Sequence, residues 1–196
     1  MRYIIGIAPA QNSETIIDGK LAAWCLNTEC GSRLRALIDE GPQTIFRNAS
    51  DKRPPRRLKN GKPMDRQPWA SHGRDLLCAV ADDGREECPA RILLLGLSYW
   101  RRALGLLVDA ERVLVDRYAI PVGIPFPICD GAGHQVAEIT LIAHPSLWPV
   151  VEHRTRAEYR SFTIDCLVRQ NFRTGIGGNR HLTEKDYDDV FRSFGF

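Results

Sequence analysis

Arg91-Ile92-Leu93-Leu94-Leu95-Gly96-Leu97-Ser98-Tyr99-Trp100-Arg101-Arg102-Ala103-Leu104 is the stretch on which the fold turns. Its first five residues form an almost unbroken apolar run of strand length, as in a parallel strand covered on both faces. The period then changes. Ser98 can cap a helix, and Tyr99, Trp100, Ala103, Leu104 and Leu107 recur at helical spacing. Working outward, three more strand-length apolar runs appear at Arg2–Ile7, Thr44–Arg47 and Glu138–Ala143. Helical patterns lie between and after them. Leu34, Leu37 and Ile38 share a face in Ser32–Ile38, which Gly41-Pro42 stops, and Thr155–Phe172 carries a second stripe. Thr183 opens a short final helix with Asp186 in its first turn. Residues 108–137, rich in proline and glycine, read as an irregular connection or a hairpin. Alternation of this kind predicts an α/β fold: a three-layer α/β/α sandwich with a central, mainly parallel four-stranded sheet. Such sheets bind ligands beyond the carboxyl ends of their strands.

With 196 residues, 43% of them apolar and 26% charged, the chain has ordinary globular composition, and one domain over residues 1–196 is expected. No apolar run approaches the ~20 residues of a membrane span. The first residues hold too short an apolar stretch for a secretory signal, so a cytoplasmic protein is expected. Net charge is only +3, too mild to announce a polyanionic partner, but its distribution is uneven. Arg47, Lys52, Arg53, Arg56, Arg57, Lys59, Lys62 and Arg66 are opposed only by Asp51 and Asp65 in that stretch. The stretch is a solvated loop or a phosphate-binding one. Six cysteines contain no Cys-x-x-Cys pair. Reduced, buried thiols are the expectation, with a site built from Cys25, Cys30, Cys78 and Cys88 as the alternative.

Two segments follow strands and carry chemistry. Gly6-Ile7-Ala8-Pro9-Ala10 follows the first strand; its glycine permits close backbone approach and its proline stiffens the exit. His144-Pro145-Ser146-Leu147-Trp148-Pro149 follows the last. There an imidazole could polarise a ligand oxygen, a serine could bond a phosphate, and two large apolar side chains would be exposed. Either segment alone is equally a structural turn.

Together, in this order, they resemble the uracil-DNA glycosylase superfamily, with its Gly-x-x-Pro turn after the first strand and His-Pro-Ser loop after the last. Gly31-Ser32-Arg33-Leu34 is similar to the Gly-x-x-Leu that opens that superfamily's next helix. Ile45-Phe46-Arg47-Asn48, with Arg53-Pro54-Pro55 beyond it, is similar to the strand that ends in a base-reading asparagine. Ile92-Leu93-Leu94-Leu95-Gly96 with Ala103-Leu104 fits the third strand and its helix, so the resemblance spans about residues 2–170. Two departures stand out. Most branches carry an acid or amide in the first motif, where this chain has Ile7 and Ala8; the Gly-Leu-Ala-Pro-Ala branch is nearest. The iron–sulfur branches need an N-terminal cysteine pair and a cysteine at the position of Lys52; only Cys88-Pro89 matches, so no cluster is expected.

The resemblance implies a DNA glycosylase acting on a flipped-out base, with no metal and no cofactor. In that reading His144 donates to the base oxygen that gains charge, and an acid in the loop after the first motif, Glu29 in preference to Glu14 or Asp18, holds the water. Asn48 reads the base, Ala8 and Ala10 line its pocket, and Trp24 stacks on it. Leu147 and Trp148 wedge the duplex, while Ser146, Arg53, Arg56, Arg57 and Lys59 hold phosphates. The base is a deaminated one, uracil or a purine analogue, or a hypermodified phage base such as glucosylated hydroxymethylcytosine. The implied partner is DNA, with no membrane and a monomeric protein. The alternative is a non-catalytic DNA-binding member of the same fold, which the missing acid favours. A hydrolase of free nucleosides would need neither phosphate clamps nor a wedge.

Overall fold

A computed structural model describes residues 2–6, 16–17, 20–21, 44–49, 67–83, 90–144 and 183–193, with residues 158, 160, 161, 164, 165 and 168. The strands are β1 (Arg2–Gly6), β2 (Ile16–Ile17), β3 (Lys20–Leu21), β4 (Thr44–Asn48), β5 (Ala90–Leu95), β6 (Phe126–Cys129) and β7 (Gln135–Ile142). The helices are α1 (Gln67–Asp82), α2 (Leu97–Asp109) and α3 (Glu184–Ser193).

The main sheet runs β4-β1-β5-β7-β6. Neighbours pair in parallel from β4 through β7, whereas β6 joins β7 antiparallel. The sheet is thus α/β and mixed, with five strands where the sequence reading gave four. The added strand lies within residues 108–137, read from the sequence as an irregular connection or a hairpin, and forms a hairpin with β7. Pro127 lies within it, and proline, which cannot donate to a ladder, suits such an edge position. Ile92, Leu93, Leu94 and Leu95 are each 0% exposed, so both faces of β5 are covered, as the unbroken apolar run requires.

One residue, Gly96, joins β5 to α2. Its φ of 111° and ψ of 109° suit glycine alone. Its N–H donates to the Ile142 carbonyl at 2.9 Å, so the turn is tied to the neighbouring strand. Helix α2 buries Trp100, Ala103, Leu104 and Leu107, the stripe read from the sequence.

Helix α1 has no counterpart in that reading. Its buried positions are Ala70, Gly73, Leu77 and Ala81, a stripe with a single large side chain. Gly73 explains the choice: a β-carbon there would stand 2.9 Å from the Trp100 ring and 3.0 Å from the Tyr99 hydroxyl. The two helices approach closely because that position is bare. At its far end, Arg112 donates to the Asp82 carboxylate (2.6 Å) and the Cys129 carbonyl (2.7 Å), while Gly131 N–H also reaches Asp82. This ties α1, the segment after α2 and the β6–β7 hairpin together.

The small antiparallel pair β2–β3 was not foreseen, although Asp18-Gly19 between its strands is a favoured hairpin-turn sequence. The expected helix over Ser32–Ile38 lies outside the described residues. Within Thr155–Phe172, residues 158, 160, 161, 164, 165 and 168 are helical, and Ile164 is buried. Before α3, Thr183 and Asp186 cap each other, and Tyr187 and Phe191 enter the core. Among the described residues no helix is long and apolar enough to cross a membrane.

Candidate functional site

The chain leaves β1 toward β4 on one side of the sheet and leaves β5 toward β7 on the other. The carboxyl ends of β1 and β5 therefore flank the point where the winding reverses, the usual ligand crevice of an open α/β sheet. Gly6 ends β1 and Gly96 follows β5, and both are buried.

Strand register defines what surrounds that crevice. Asn48 pairs with Gly6, Ile5 with Leu94, and Leu95 with Ile142, so Asn48, Gly6, Leu95 and Ile142 form one cross-strand row. Three strand spacings put Asn48 about 14 Å from Ile142 across the sheet. His144 lies two residues beyond Ile142, and the two-residue repeat of an extended chain assigns it to the same side. Ala49 N–H donates to the Gly6 carbonyl at 2.8 Å, which continues the β1–β4 ladder past Asn48. Asn48 and His144 thus stand at opposite flanks of one edge, with the ends of β1 and β5 between them.

Asn48 is half-buried, and its amide offers donors and an acceptor. His144 is also half-buried, and burial pulls its imidazole below the usual value of 6.5. It is neutral near pH 7, able to donate from one ring nitrogen and accept at the other. Of the residues singled out from the sequence, these two fall among those described. Ala8, Ala10, Trp24, Glu29, Arg53, Arg56, Arg57, Lys59, Ser146, Leu147 and Trp148 lie outside the described residues, as do Cys25, Cys30 and Cys88.

Among the described residues no group of three or more histidine, cysteine and acidic side chains could hold a metal ion. Cys78 and Cys129 are free thiols; burial pushes Cys78 up, against the opposing pull of Arg112.

Within residues 2–144 most described acids lie toward the amino ends of the strands, among the cations Arg2, Arg91, Arg112 and Arg117, while Asp75 lies midway along α1. Asp82 and Asp83 end α1, Asp109 ends α2, Asp130 sits in the hairpin turn and Glu138 pairs in register with Arg91. Arg117 is held to Asp109 at 2.6 Å, and Arg112 to Asp82. Toward the carboxyl ends stand Arg47, next to Asn48 in sequence but on the other face of β4, and Arg101 and Arg102, in the second turn of α2. None of these three is in an ion pair with another described residue. The sequence reading counted Arg47 in a basic stretch but gave no role to the other two, since a lone Arg-Arg pair on a helix carries no signal.

Comparison of the chain with known protein families, with curated proteins and with solved structures finds no match.

Proposed function

We propose that the chain is a DNA glycosylase that hydrolyses the N-glycosidic bond of a flipped-out deaminated or modified base. The observation that carries this reading is the pairing of Asn48 and His144 across one sheet edge, spanning the ends of β1 and β5. Those are the two side chains the ordered motifs assign to reading a base and to stabilising its departure. The three-layer arrangement, a cytosolic location and a monomer acting on DNA without a cofactor belong to the same reading.

The chemistry needs water alone. The bond from the sugar C1′ to the base nitrogen breaks, the electron pair leaves with the base, a water oxygen bonds C1′, and the proton that water loses ends on the departed base. Neutral His144 donates a hydrogen bond to the base oxygen where charge collects, an interaction strongest in the transition state. Asn48 supplies the polar edge that selects the base. Glu29 orients the water and favours the cationic sugar. Trp24 stacks on the base, with Ala8 and Ala10 behind it. Leu147 and Trp148 fill the gap left in the duplex, and Ser146, Arg53, Arg56, Arg57 and Lys59 hold its phosphates.

The test is incubation with duplexes containing uracil, hypoxanthine, xanthine, hydroxymethylcytosine or glucosylated hydroxymethylcytosine, followed by alkali, which cuts at abasic sites. Cutting of any of them is the expected result. Tight binding with no cutting across the panel replaces this reading with a non-catalytic DNA-binding protein, for which Ile7 and Ala8 in the first motif already speak.

A further inference from the structure

Arg101 and Arg102 stand in the second turn of α2, which begins one residue after the carboxyl end of β5. At 1.5 Å per residue they are about 6–8 Å below the helix start. Side chains on a helix lean toward its amino end, here toward the edge that carries Asn48 and His144. Arg102 is exposed and Arg101 half-buried. In the second turn they gain little from the helix dipole, so local helix stability does not account for them. Nor does an ion pair with another described residue. Arg74, Arg112 and Arg117, by contrast, each meet an aspartate. Arg47 is exposed on β4 at the same edge, and it is the first residue of the basic stretch in the sequence.

We propose that Arg47, Arg101 and Arg102 form a cationic rim at the carboxyl edge of the sheet that binds phosphates of the DNA backbone on both flanks of the crevice. The rim is set on two elements, β4 and α2, that lie on opposite sides of β1 in the sheet order and its connections. A strand of nucleic acid laid across it crosses the gap between Asn48 and His144. Within residues 2–144 this edge carries Arg47, Arg101 and Arg102, cations that draw a polyanion toward it. The inference rests on the DNA reading above and adds to it residues that no motif singles out.

The experiment measures binding to an unmodified duplex, where no base is released, as a function of salt. Each lost phosphate contact lowers the slope of log K against log salt by about 0.9, so Arg101→Gln/Arg102→Gln should flatten it by about 1.8. Arg74→Gln/Arg117→Gln removes the same charge from arginines held elsewhere and should leave the slope near that of the wild type. Thermal unfolding verifies that both proteins are folded. An unchanged slope in the first variant, or an equal change in both, overturns the inference, as does a wild-type chain that does not bind the duplex. Base release by a protein whose slope ignores Arg101 and Arg102 sinks the rim and leaves the glycosylase standing. A flattened slope in a protein that releases no base does the reverse.

Discussion

Replacing Gly96 with alanine tests the junction on which the crevice is built. At φ 111° and ψ 109° a β-carbon is forced into backbone space that L residues avoid, at a cost of about 1–3 kcal/mol. The chain can relieve that strain only by turning the peptide away from Ile142, which surrenders the 2.9 Å bond to its carbonyl, itself worth about 1 kcal/mol. Holding the bond keeps the full strain, and giving it up leaves part of the strain beside the lost bond, so the cost comes to about 2 kcal/mol. With an m-value of about 2.5 kcal/mol/M, the urea midpoint should fall by about 0.8 M. Gly133→Ala is the matched control. Its φ is +85°, but nothing lies within 4 Å of the added carbon and the turn is exposed. It therefore bears backbone strain alone, about 1 kcal/mol. Equilibrium unfolding followed by far-ultraviolet dichroism reads both. Equal midpoints for the two variants would refute the claim that β5, Gly96 and β7 form one rigid corner.

His144→Ala should slow base release by about 10² or more, the scale for losing one charge-stabilising donor, with a much smaller change in DNA affinity; equal loss of both would make the residue a loop support. The pH dependence of stability has a defined sign. Because the folded pKa of His144 lies below 6.5, the unfolded chain binds more protons between those two values. Its contribution is full above pH 6.5 and drains away as pH falls through the folded value, so urea midpoints of wild type and His144→Gln should converge on acidification; parallel curves would contradict this. Arg112→Met should cost about 1–2 kcal/mol, by loss of its bonds to Asp82 and the Cys129 carbonyl, and should speed amide exchange at Gly131 before that of β5. Uniform acceleration across the sheet would mean the tie is global.

The strands were legible because burial on both faces leaves a one-dimensional trace. Ile92 to Leu95 can be nothing but an interior strand or helix, and the glycine after them decides between the two. Helix α2 was legible for the complementary reason: Trp100, Leu104 and Leu107 are large enough to write their period into the chain. Helix α1 was hidden by the opposite solution. Its contact surface mixes small positions, at Ala70, Gly73 and Ala81, with Leu76, Leu77 and Val80, and the small ones dilute the hydrophobic period. Strand β6 was hidden by Pro125 and Pro127, which mark a loop by local rule and an edge strand by context. At the candidate site, Asn48 and His144 could be chosen because each ends an apolar run. That they stand at one edge, Asn48 on the row that ends at Ile142 and His144 two residues past it, is a matter of pairing, fixed by partners distant in sequence. Arg101 and Arg102 gain their meaning only from where the acids went.

The order of strands in the sheet differs from their order in the chain. Strand β1 is synthesised first yet occupies an interior position, between β4 and β5. Its second partner, beginning with Arg91 opposite Arg2, emerges about 90 residues later, which at 5–20 residues per second is about 4–18 s. Throughout that interval Tyr3, Ile4 and Ile5 sit on a strand with one edge open and no completed layer over them, in the form most prone to pairing with another nascent chain. Closure by β5 brings contacts of long sequence separation, so the final step is also slow on the scale of folding reactions. Yield in a cell should accordingly respond to the rate of translation between β4 and β5, and to holding chaperones, more than to any substitution in the finished core.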